Sequence, residues 1–355
     1  MTRAADLIDQ ILALDPGRRD LAAFSTPGAA LHAARALHGA RHVLIVTGFT
    51  VAPDMPETDG PPGAAVLGRA LRRLGARVTY VTDAPNVPLV GAALKTLDEP
   101  SDVMLYPAEA EGARRLLATE KPTHLVAIER PGRNRDGDYL NMRGDSVAGW
   151  NAPIDELFIR SGDREAGVSR GWPEKGASRR RTPAQPARRT TTRPAVGKRP
   201  VTIGIGDLGN EIGMGAARAK IARIDALRAQ IATVVRVDHL VVAGVSNWGG
   251  YGVVAALGRL TGHDLLHTPE LERRLIAACV AAGACDGVTR RREPTVDGLA
   301  VDTHAAIVDL LRVAARSRVT PAGLPTLASQ VTHVPRIGGT SGIMGTSTVR
   351  RGPRR

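Results

Sequence analysis

The amino-acid sequence predicts an α/β fold, a three-layer sandwich in which helices cover both faces of an open, mostly parallel sheet. Short β-branched runs alternate along the chain with longer amphipathic stretches, the pattern produced by a parallel sheet covered with helices. Most of the short runs are almost wholly apolar, as strands buried on both faces are. The chain has 355 residues, of which 43% are hydrophobic, so it can bury a large core.

The short apolar runs predict six strands, at residues 42–47, 77–82, 102–106, 124–129, 201–205 and 239–245. Apolar residues that recur at helical spacing predict nine helices. These span residues 4–14, 28–38, 63–74, 87–97, 108–118, 211–231, 250–260, 269–282 and 302–316.

The net charge of +13 is confined to two segments. Residues 162–200 contain eleven Lys or Arg against three acids, and residues 335–355 contain five Arg and no acid. Both are rich in Pro, Gly, Thr and Arg and poor in apolar residues, the composition of chains that do not fold alone. We therefore predict a single α/β domain with an N-terminal part at 1–161, a disordered insert at 162–199, a C-terminal part at 200–316 and a disordered basic tail at 317–355.

The rest of the chain is electrically neutral, and the basic segments have few aromatic residues on which bases could stack. We therefore expect only non-specific binding of polyanions, through these segments.

With only Cys279 and Cys285 there is no disulfide framework, and no apolar run reaches the roughly 20 residues of a membrane helix. The acid-rich start of the chain is unlike a targeting peptide. These features predict a cytoplasmic protein without a membrane partner.

The loop after the first predicted strand carries Glu57 and Asp59 in a Pro- and Gly-rich turn ahead of a helix. Ligands of open α/β sheets bind beyond the carboxyl ends of the strands, so this loop is a candidate part of a site. Asp59 is a candidate catalytic residue. The alternative is that Asp59 or Thr58 only caps the helix that follows.

The loop after the fourth predicted strand carries a carboxylate and several arginines. Glu129 ends an apolar strand, so burial should perturb its pKa and suit it to moving a proton. Arg130 and Arg143 are candidate substrate-binding residues, because a guanidinium binds a carboxylate through two parallel hydrogen bonds. The alternative is an ion pair between Glu129 and an arginine that only orders the loop.

The glycine-rich loop at 204–209 matches G-x-G-x-x-G, the pattern of dinucleotide-binding loops. However, Asp207 and Glu211 place negative charge where a pyrophosphate needs positive charge, and no acid ends the next strand. Asp207, Asn210 and Glu211 are better suited to bind a divalent cation, or to act as acid and base. The alternative is that Asn210 caps a helix and Asp207 only turns the loop.

The loop after the sixth predicted strand, 246–252, combines glycines with Trp248 and Tyr251 in a chain that has only 3% aromatic residues. Ser246 and Asn247 lie beside them. This combination predicts a pocket wall that offers hydroxyl and amide groups to a substrate. The alternative is a loop that Trp248 anchors to the core.

The loop motifs occur in a fixed order: V-T-G-F (46–49), E-T-D-G-P-P-G (57–63), I-E-R-P-G (128–132) with D-G-D-Y-L-N-M-R-G (136–144), G-D-L-G-N-E-I-G-M-G (206–215), S-N-W-G-G-Y (246–251) and V-D-G-L (296–299). Together they resemble the D-glutamate cyclase C-terminal domain family over most of residues 1–315. The sequence departs from the family pattern at Leu208, where the family has Gly, and in its basic insert and tail.

The resemblance implies a lyase of D-amino-acid metabolism, a hydro-lyase that converts D-glutamate to 5-oxo-D-proline and water. It implies a small-molecule substrate and no nucleotide, and a cation, Mn²⁺ or Mg²⁺, could polarise the γ-carboxyl group. We assign roles by inference: Glu129, Asp59, Asp207 and Glu211 are the candidate catalytic residues, and Asp207 and Glu211 the candidate metal ligands. The candidate substrate-binding residues are Arg130, Arg143, Asn210, Ser246, Asn247 and Trp248.

Two other classes of function remain open. One is a nucleotide- or dinucleotide-binding α/β module that uses the 204–209 loop without turnover. The other is an RNA-associated protein that acts through the basic segments. A ligand that binds only the native state raises its stability, so stabilisation by D-glutamate, by NAD or ATP, or only by polyanions would separate the three classes.

Overall fold

The computed structural model describes residues 6–109, 111–162 and 199–316. The predicted insert and tail therefore lie outside the described residues, apart from Gly162 and Arg199 at the ends of the insert. The strands of the described part are β1 (His42–Thr47), β2 (Thr50–Ala52), β3 (Met55–Pro56), β4 (Arg77–Thr82), β5 (Val103–Leu105), β6 (His124–Ile128), β7 (Val201–Gly206), β8 (His239–Val242), β9 (Thr295–Val296) and β10 (Leu299–Ala300).

The α-helices of the described part are α1 (Leu7–Leu12), α2 (Ala29–Leu37), α3 (Pro61–Arg73), α4 (Val87–Thr96), α5 (Gly112–Glu120), α6 (Glu156–Gly162), α7 (Arg218–Ile221), α8 (Ala226–Ile231), α9 (Ser246–Thr261), α10 (Pro269–Ala281) and α11 (Val301–Arg316). Short 3-10 turns lie at Leu21–Ala23 and Ala84–Asn86. None of these helices is long and apolar enough to cross a membrane.

Six strands form one parallel sheet in the order β5-β4-β1-β6-β7-β8. β1 pairs with β4 on one side and with β6 on the other. The chain order runs outward in opposite directions from the β1/β6 pair, and such a reversal is where open α/β sheets bind their ligands. β6 and β7 precede and follow residues 163–198, and they pair directly, with Leu125 opposite Thr202.

Successive side chains of β1 point into two different cores. Val43 and Ile45 pack in a core that also contains residues of α1 to α4 and α9 to α11. Leu44 and Val46 pack on the other face of the sheet, with residues of α5 and α6. This alternation is the period of two that a strand buried on both faces requires. The predicted parallel sheet with helices on both faces is confirmed.

Most predicted elements lie within a few residues of their observed bounds, and β1 and β4 match them. The main shift concerns the predicted loop 246–252, which forms the first turns of α9 because this helix begins at Ser246 rather than at residue 250. The short β2–β3 and β9–β10 hairpins and helix α6 are absent from the sequence prediction. Each is only two to seven residues long, too short for a periodic pattern to mark it.

The predicted helix at 211–231 is wrong. Only α7 and α8 are helical there, and residues 207–217 are irregular. Gly213 has a φ of 107°, outside the helical range, and the N–H groups of Gly213 and Gly215 each donate to Val235 O at 3.1 Å. A Cβ at Gly204 would lie 2.5 Å from Ile212 O, so the segment packs backbone to backbone against β7. These tertiary contacts override the helical spacing of the aliphatic residues.

Candidate active site

Carboxyl groups gather where the sheet order reverses, beyond the carboxyl ends of β1, β6 and β7. Asp207 belongs to two triads, one with Asp59 and Asp297 and the other with Glu129 and Glu211. Within each triad, one oxygen from every side chain lies within 4.8 Å of the others, so either triad could hold a metal ion. The structure thus brings the four predicted catalytic residues into one acidic cluster.

Glu129 directly follows β6 in a left-handed backbone conformation, with a φ of 43°. Residues other than glycine rarely adopt it, at a cost of about 1–3 kcal/mol, and such strain is concentrated at functional sites. The buried carboxyl group accepts a 2.6 Å hydrogen bond from Ser246 Oγ. Gly60 leaves room for the side chain, because a Cβ at residue 60 would lie 2.9 Å from Glu129 Cβ. The surrounding structure therefore holds this carboxyl group in one position.

Asp59 and Asn247 cap each other's helices. The Asp59 carboxylate accepts from the N–H groups of Ser246 and Asn247, at 2.9 and 2.8 Å, in the first turn of α9. Asn247 Oδ1 accepts from the N–H groups of Gly60 and Gly63, at 3.0 and 2.7 Å, at the start of α3. Asp59 thus does cap a helix, but one that begins far along the chain. The positive ends of both helices lie beside the acidic cluster, where they stabilise negative charge.

Asp207 and Glu211 differ in what their oxygens contact. The two oxygens of Glu211 accept from the N–H groups of Leu208 and Gly209, at 3.0 and 2.8 Å, so this side chain holds the loop. Asp207 Oδ2 contacts the guanidinium of Arg19, whereas its Oδ1 is buried without a hydrogen-bond partner among the described residues. Asp207 therefore offers a free oxygen to a ligand.

Arg19 and Asp297 belong to the site and were missed by sequence reasoning. The Arg19 guanidinium contacts Asp297 at 3.1 Å as well as Asp207, which is 188 residues away in the chain. Asp297 and Gly298 form the β9–β10 turn, with φ of 56° and 75°, as a type I′ hairpin requires. The Asp-Gly dipeptide is a recognisable hairpin signal, whereas no local pattern marks Arg19.

A cavity of about 290 Å³ opens onto the acidic cluster. Its size is sufficient for a small metabolite. Its walls combine both charges with apolar surface from side chains such as Phe49 and Met142. The charged side chains that line it are Glu57, Glu129, Asp207 and Asp297, together with Arg19, Arg143, Arg228 and Arg290.

Two predicted substrate-binding residues lie away from the cavity. Arg130 is fully buried, pairs with Asp83 at 2.6 Å, and donates to backbone carbonyl oxygens at 2.8 and 2.7 Å. Trp248 is also fully buried, and its Nε1–H donates to His304 Nδ1 at 2.9 Å. Neither side chain lines the cavity, and for Trp248 the alternative of a core anchor describes its surroundings.

The remaining predicted substrate-binding residues lie in or next to the site. Ser246 and Asn247 contact Glu129 and Asp59. Asn210 lines the cavity and donates from Nδ2 to Leu140 O at 2.8 Å, which ties its loop to the loop after β6. Arg143 lines the cavity with an exposed side chain that has no hydrogen-bond or ion-pair partner in the described part of the chain.

Leu208 fits the loop without backbone strain. Its φ is negative, and only the following residue, Gly209, adopts a positive φ, of 120°. The loop conformation therefore does not require glycine at residue 208.

Burial raises the pKa of several carboxyl groups in the cluster well above the ordinary range. For Glu57, Glu129 and Asp207, burial is the largest cause, and repulsion from neighbouring carboxylates adds to it. The pKa of Asp59 is raised mainly by burial, although the N–H groups that it accepts from oppose the shift. These groups therefore retain protons that carboxyl groups in water would release.

We expect the thermal stability of the protein to fall as the pH rises above about 4, the ordinary pKa of a carboxyl group. Above this pH the unfolded chain releases protons that the folded cluster retains, and stability falls with pH wherever the folded state binds more protons. The loss should continue until the pH exceeds the raised pKa values of the folded state. Melting temperatures across pH should show a shallower decline in Asp207→Asn than in the wild type, and equal slopes would contradict this explanation.

The glycine-rich loop at 204–209 does not open a helix. β7 continues to Gly206, and irregular backbone follows as far as residue 217. Dinucleotide-binding folds place the pyrophosphate at the N-terminus of a helix directly after such a loop, and this loop has no such helix. That no nucleotide binds here stays a prediction.

A curated human protein and a bacterial crystal structure are among the proteins similar to this chain. Human mitochondrial D-glutamate cyclase is 32% identical over 268 residues, which cover 70% of this chain and 38% of that protein. The chain thus spans well under half the length of this relative. A crystal structure of an exopolyphosphatase-related protein from Bacteroides fragilis matches with a TM-score of 0.37 and 10% identity, over 81% of this chain and 56% of that chain. That score is too low to support a conclusion.

A family model gives the broadest match. The family described as "D-glutamate cyclase-like, C-terminal" matches residues 8–176 and 190–312, which is most of the chain and includes every loop of the acidic cluster. This match agrees with the resemblance that the loop motifs carry. The chain belongs to the D-glutamate cyclase-like C-terminal family.

Proposed function

We propose that this protein is a D-glutamate cyclase, a hydro-lyase that converts D-glutamate to 5-oxo-D-proline and water. The observation that carries the proposal is the cavity, in which acidic side chains and arginines share about 290 Å³. D-Glutamate has an ammonium group and two carboxylates, so a small cavity with both charges complements it. Membership of the family supports the reaction class.

The reaction closes a five-membered lactam within one molecule. The α-nitrogen forms a bond to the γ-carbon, and one γ-oxygen leaves. Two protons leave the nitrogen and both end on the departing oxygen, so the products are the 5-oxo-D-proline anion and water. Holding the two reacting groups in contact can supply roughly 7–11 kcal/mol in favourable intramolecular cases, which supports catalysis without ATP.

We assign Glu129 as the base that takes a proton from the substrate ammonium. A raised pKa makes its carboxylate a stronger base, and a base of this kind contributes about 10²- to 10⁴-fold to the rate. Ser246 positions Glu129, and Asp59 positions Ser246 and Asn247 through their backbone N–H groups. Arg143 lies at the cavity wall, where a guanidinium can bind a substrate carboxylate.

A divalent cation fits the donors of the acidic cluster. Carboxylate oxygens suit Mg²⁺ and Mn²⁺, and the buried, unpartnered Asp207 Oδ1 is an oxygen for which a cation would be a partner. Asp207 and Glu211 would hold the ion, which leaves Glu129 free to accept the proton. A bound cation would supply positive charge that polarises the γ-carboxyl group.

An assay for lactam formation tests the proposal. We expect the purified 355-residue chain, supplied with Mn²⁺ or Mg²⁺, to form 5-oxoproline from D-glutamate faster than from L-glutamate. D-Glutamate and 5-oxo-D-proline should raise the melting temperature, whereas NAD and ATP should not. Stabilisation by a nucleotide without any lactam formation would favour the nucleotide-binding alternative.

A cytoplasmic location, the lack of a membrane partner and purely non-specific polyanion binding stay predictions.

A further inference from the structure

Arg290 is an arginine of the cavity wall that has no acidic partner among the described residues. Its backbone is left-handed, with a φ of 59°, and the side chain is half-buried. The Nε atom is buried without a hydrogen-bond partner among the described residues. A buried donor without an acceptor destabilises the folded chain, and a ligand that provides an acceptor would remove this cost.

A buried carboxylate fixes the loop that carries Arg290. Asp286 is fully buried, and its Oδ1 accepts from the N–H groups of Val288 and Thr289 at 2.9 and 2.8 Å. Its Oδ2 accepts from Gly298 N–H at 2.7 Å, in the hairpin turn next to Asp297. The N–H of Arg290 itself donates to Asp286 O at 2.8 Å. One side chain therefore holds both the Arg290 loop and the Asp297 turn at the same cavity.

The other arginines of the cavity differ from Arg290. Arg19 is paired with Asp207 and Asp297, and Arg228 donates to Arg19 O at 3.1 Å. Arg143 has no partner but is exposed to solvent, which weakens any ion pair that it forms. Arg290 alone among the four combines a partly buried guanidinium with the lack of an acidic partner in the described part of the chain. Four acidic side chains line the same cavity, so the fold holds Arg290 apart from all of them.

We infer that Arg290 binds the α-carboxylate of the amino-acid substrate and makes the site specific for α-amino acids. A guanidinium stays charged at every physiological pH and matches a carboxylate with two parallel hydrogen bonds. The acidic side chains around it offer a carboxylate no positive charge, so this position directs the α-carboxylate away from the acidic cluster. The ammonium is then left to Glu129, and the γ-carboxyl group to Arg143 together with any cation that Asp207 holds. This inference rests on the proposed function and adds a residue that determines specificity.

A pair of substrates isolates the role of Arg290. 4-Aminobutyrate has the amine and the reacting carboxyl group at the same spacing as D-glutamate but lacks the α-carboxylate, and its ring closure gives 2-pyrrolidinone and water. We expect Arg290→Met to lower kcat/KM for D-glutamate roughly 100-fold, the scale on which losing one partner of a buried charged pair weakens binding. The same variant should change the rate with 4-aminobutyrate less than about 3-fold, within ordinary context effects.

Arg291→Met is the matched control, because the neighbouring Arg291 side chain is 72% exposed and lies 3.8 Å from Glu293. It should leave both rates unchanged. Arg290→Lys keeps the charge but not the paired hydrogen bonds, and it should recover only part of the D-glutamate rate. Melting temperatures of all variants show whether a lost rate reflects lost folding, and Arg290→Lys replaces Arg290→Met if the latter unfolds.

Calorimetry provides a second test that does not depend on turnover. Wild-type protein should bind 5-oxo-D-proline more tightly than 2-pyrrolidinone, which lacks the carboxylate, and Arg290→Met should remove this difference. Equal losses for both substrates, or an unchanged preference for the carboxylate ligand, would overturn the role of Arg290. A wild-type protein that forms no lactam would instead overturn the proposed function, and the calorimetric comparison would still decide whether Arg290 binds a carboxylate.

Discussion

Replacing Glu129 with glutamine should lower the rate of lactam formation from D-glutamate roughly 1,000-fold, within the range for removing a general base. Glutamine keeps the shape of the side chain but cannot accept a proton from the substrate ammonium. The fold should tolerate the change, because burial and neighbouring carboxylates already disfavour the charge on Glu129. We therefore expect the melting temperature to be equal to or higher than that of the wild type.

Glu120→Gln is the matched control for this variant. Glu120 ends α5 just before β6, so the two glutamates flank opposite ends of the same strand, and Glu120 pairs with Arg77 at 2.9 Å. Its replacement should not change the rate. Ser246→Ala removes the hydroxyl that positions Glu129 and should give an intermediate loss. Rates at saturating D-glutamate and melting temperatures should be measured for the three variants and the wild type. A Glu129→Gln rate near that of the wild type would exclude Glu129 as the base.

The sheet could be predicted from the sequence because its signal is local. Apolar, β-branched runs mark strands that are buried on both faces, as for His42–Thr47 and Arg77–Thr82. The helix predicted at 211–231 failed because contacts with a distant part of the chain decide its conformation. The N–H groups of Gly213 and Gly215 donate to Val235 O, which follows α7 and α8 in the chain. Gly204 has no side chain, so the backbone of Ile212 can pack against it. Helical spacing alone contains no information about such contacts.

The acidic cluster was predictable in part, because the loop motifs, like the strands, are local in the sequence. The carboxyl ends of parallel strands meet at one edge, so loops after β1, β6 and β7 had to bring Asp59, Glu129 and Asp207 close together. What each group contacts depends on pairs far apart in sequence. Asp59 caps a helix that begins 187 residues later. Arg130 lies away from the cavity because it pairs with Asp83, which follows β4, two strands away from β6 in the sheet.

The arginines of the cavity show the limit of sequence reasoning most clearly. Arg19 precedes the first strand, and Arg290 lies in a loop between α10 and β9, so neither follows a strand of the main sheet. The sequence contains 48 Lys and Arg residues, and most of them form solvated surfaces or ion pairs. The property that distinguishes Arg290 is its place in a cavity without an acidic partner from the described part of the chain, which only the folded chain reveals.

Asp207→Asn and Glu211→Gln should fail in different ways, although each removes a carboxylate from the same triad. Asp207 offers a free oxygen, so Asp207→Asn should weaken Mn²⁺ binding and lower lactam formation by about two orders of magnitude, the scale for losing an electrostatic stabiliser. Its stability at neutral pH should be equal to or higher than that of the wild type, because its decline with pH is shallower. Glu211 accepts two backbone N–H groups, and glutamine offers only one acceptor oxygen to them. Glu211→Gln should therefore destabilise the fold by about 1–3 kcal/mol.

Calorimetric titration with Mn²⁺, together with denaturant unfolding, separates the two outcomes on the same preparations. Asp54→Asn is the matched control, because Asp54 is exposed and has a φ of 57°, which asparagine tolerates. It should preserve metal binding, rate and stability. Since Glu211 orders the loop that carries Asp207 and is also a candidate metal ligand, its variant should lose rate and Mn²⁺ affinity together with stability, whereas Asp207→Asn should lose only the first two. If Asp207→Asn instead unfolds more readily while binding Mn²⁺ normally, Asp207 is a structural residue and the metal lies elsewhere.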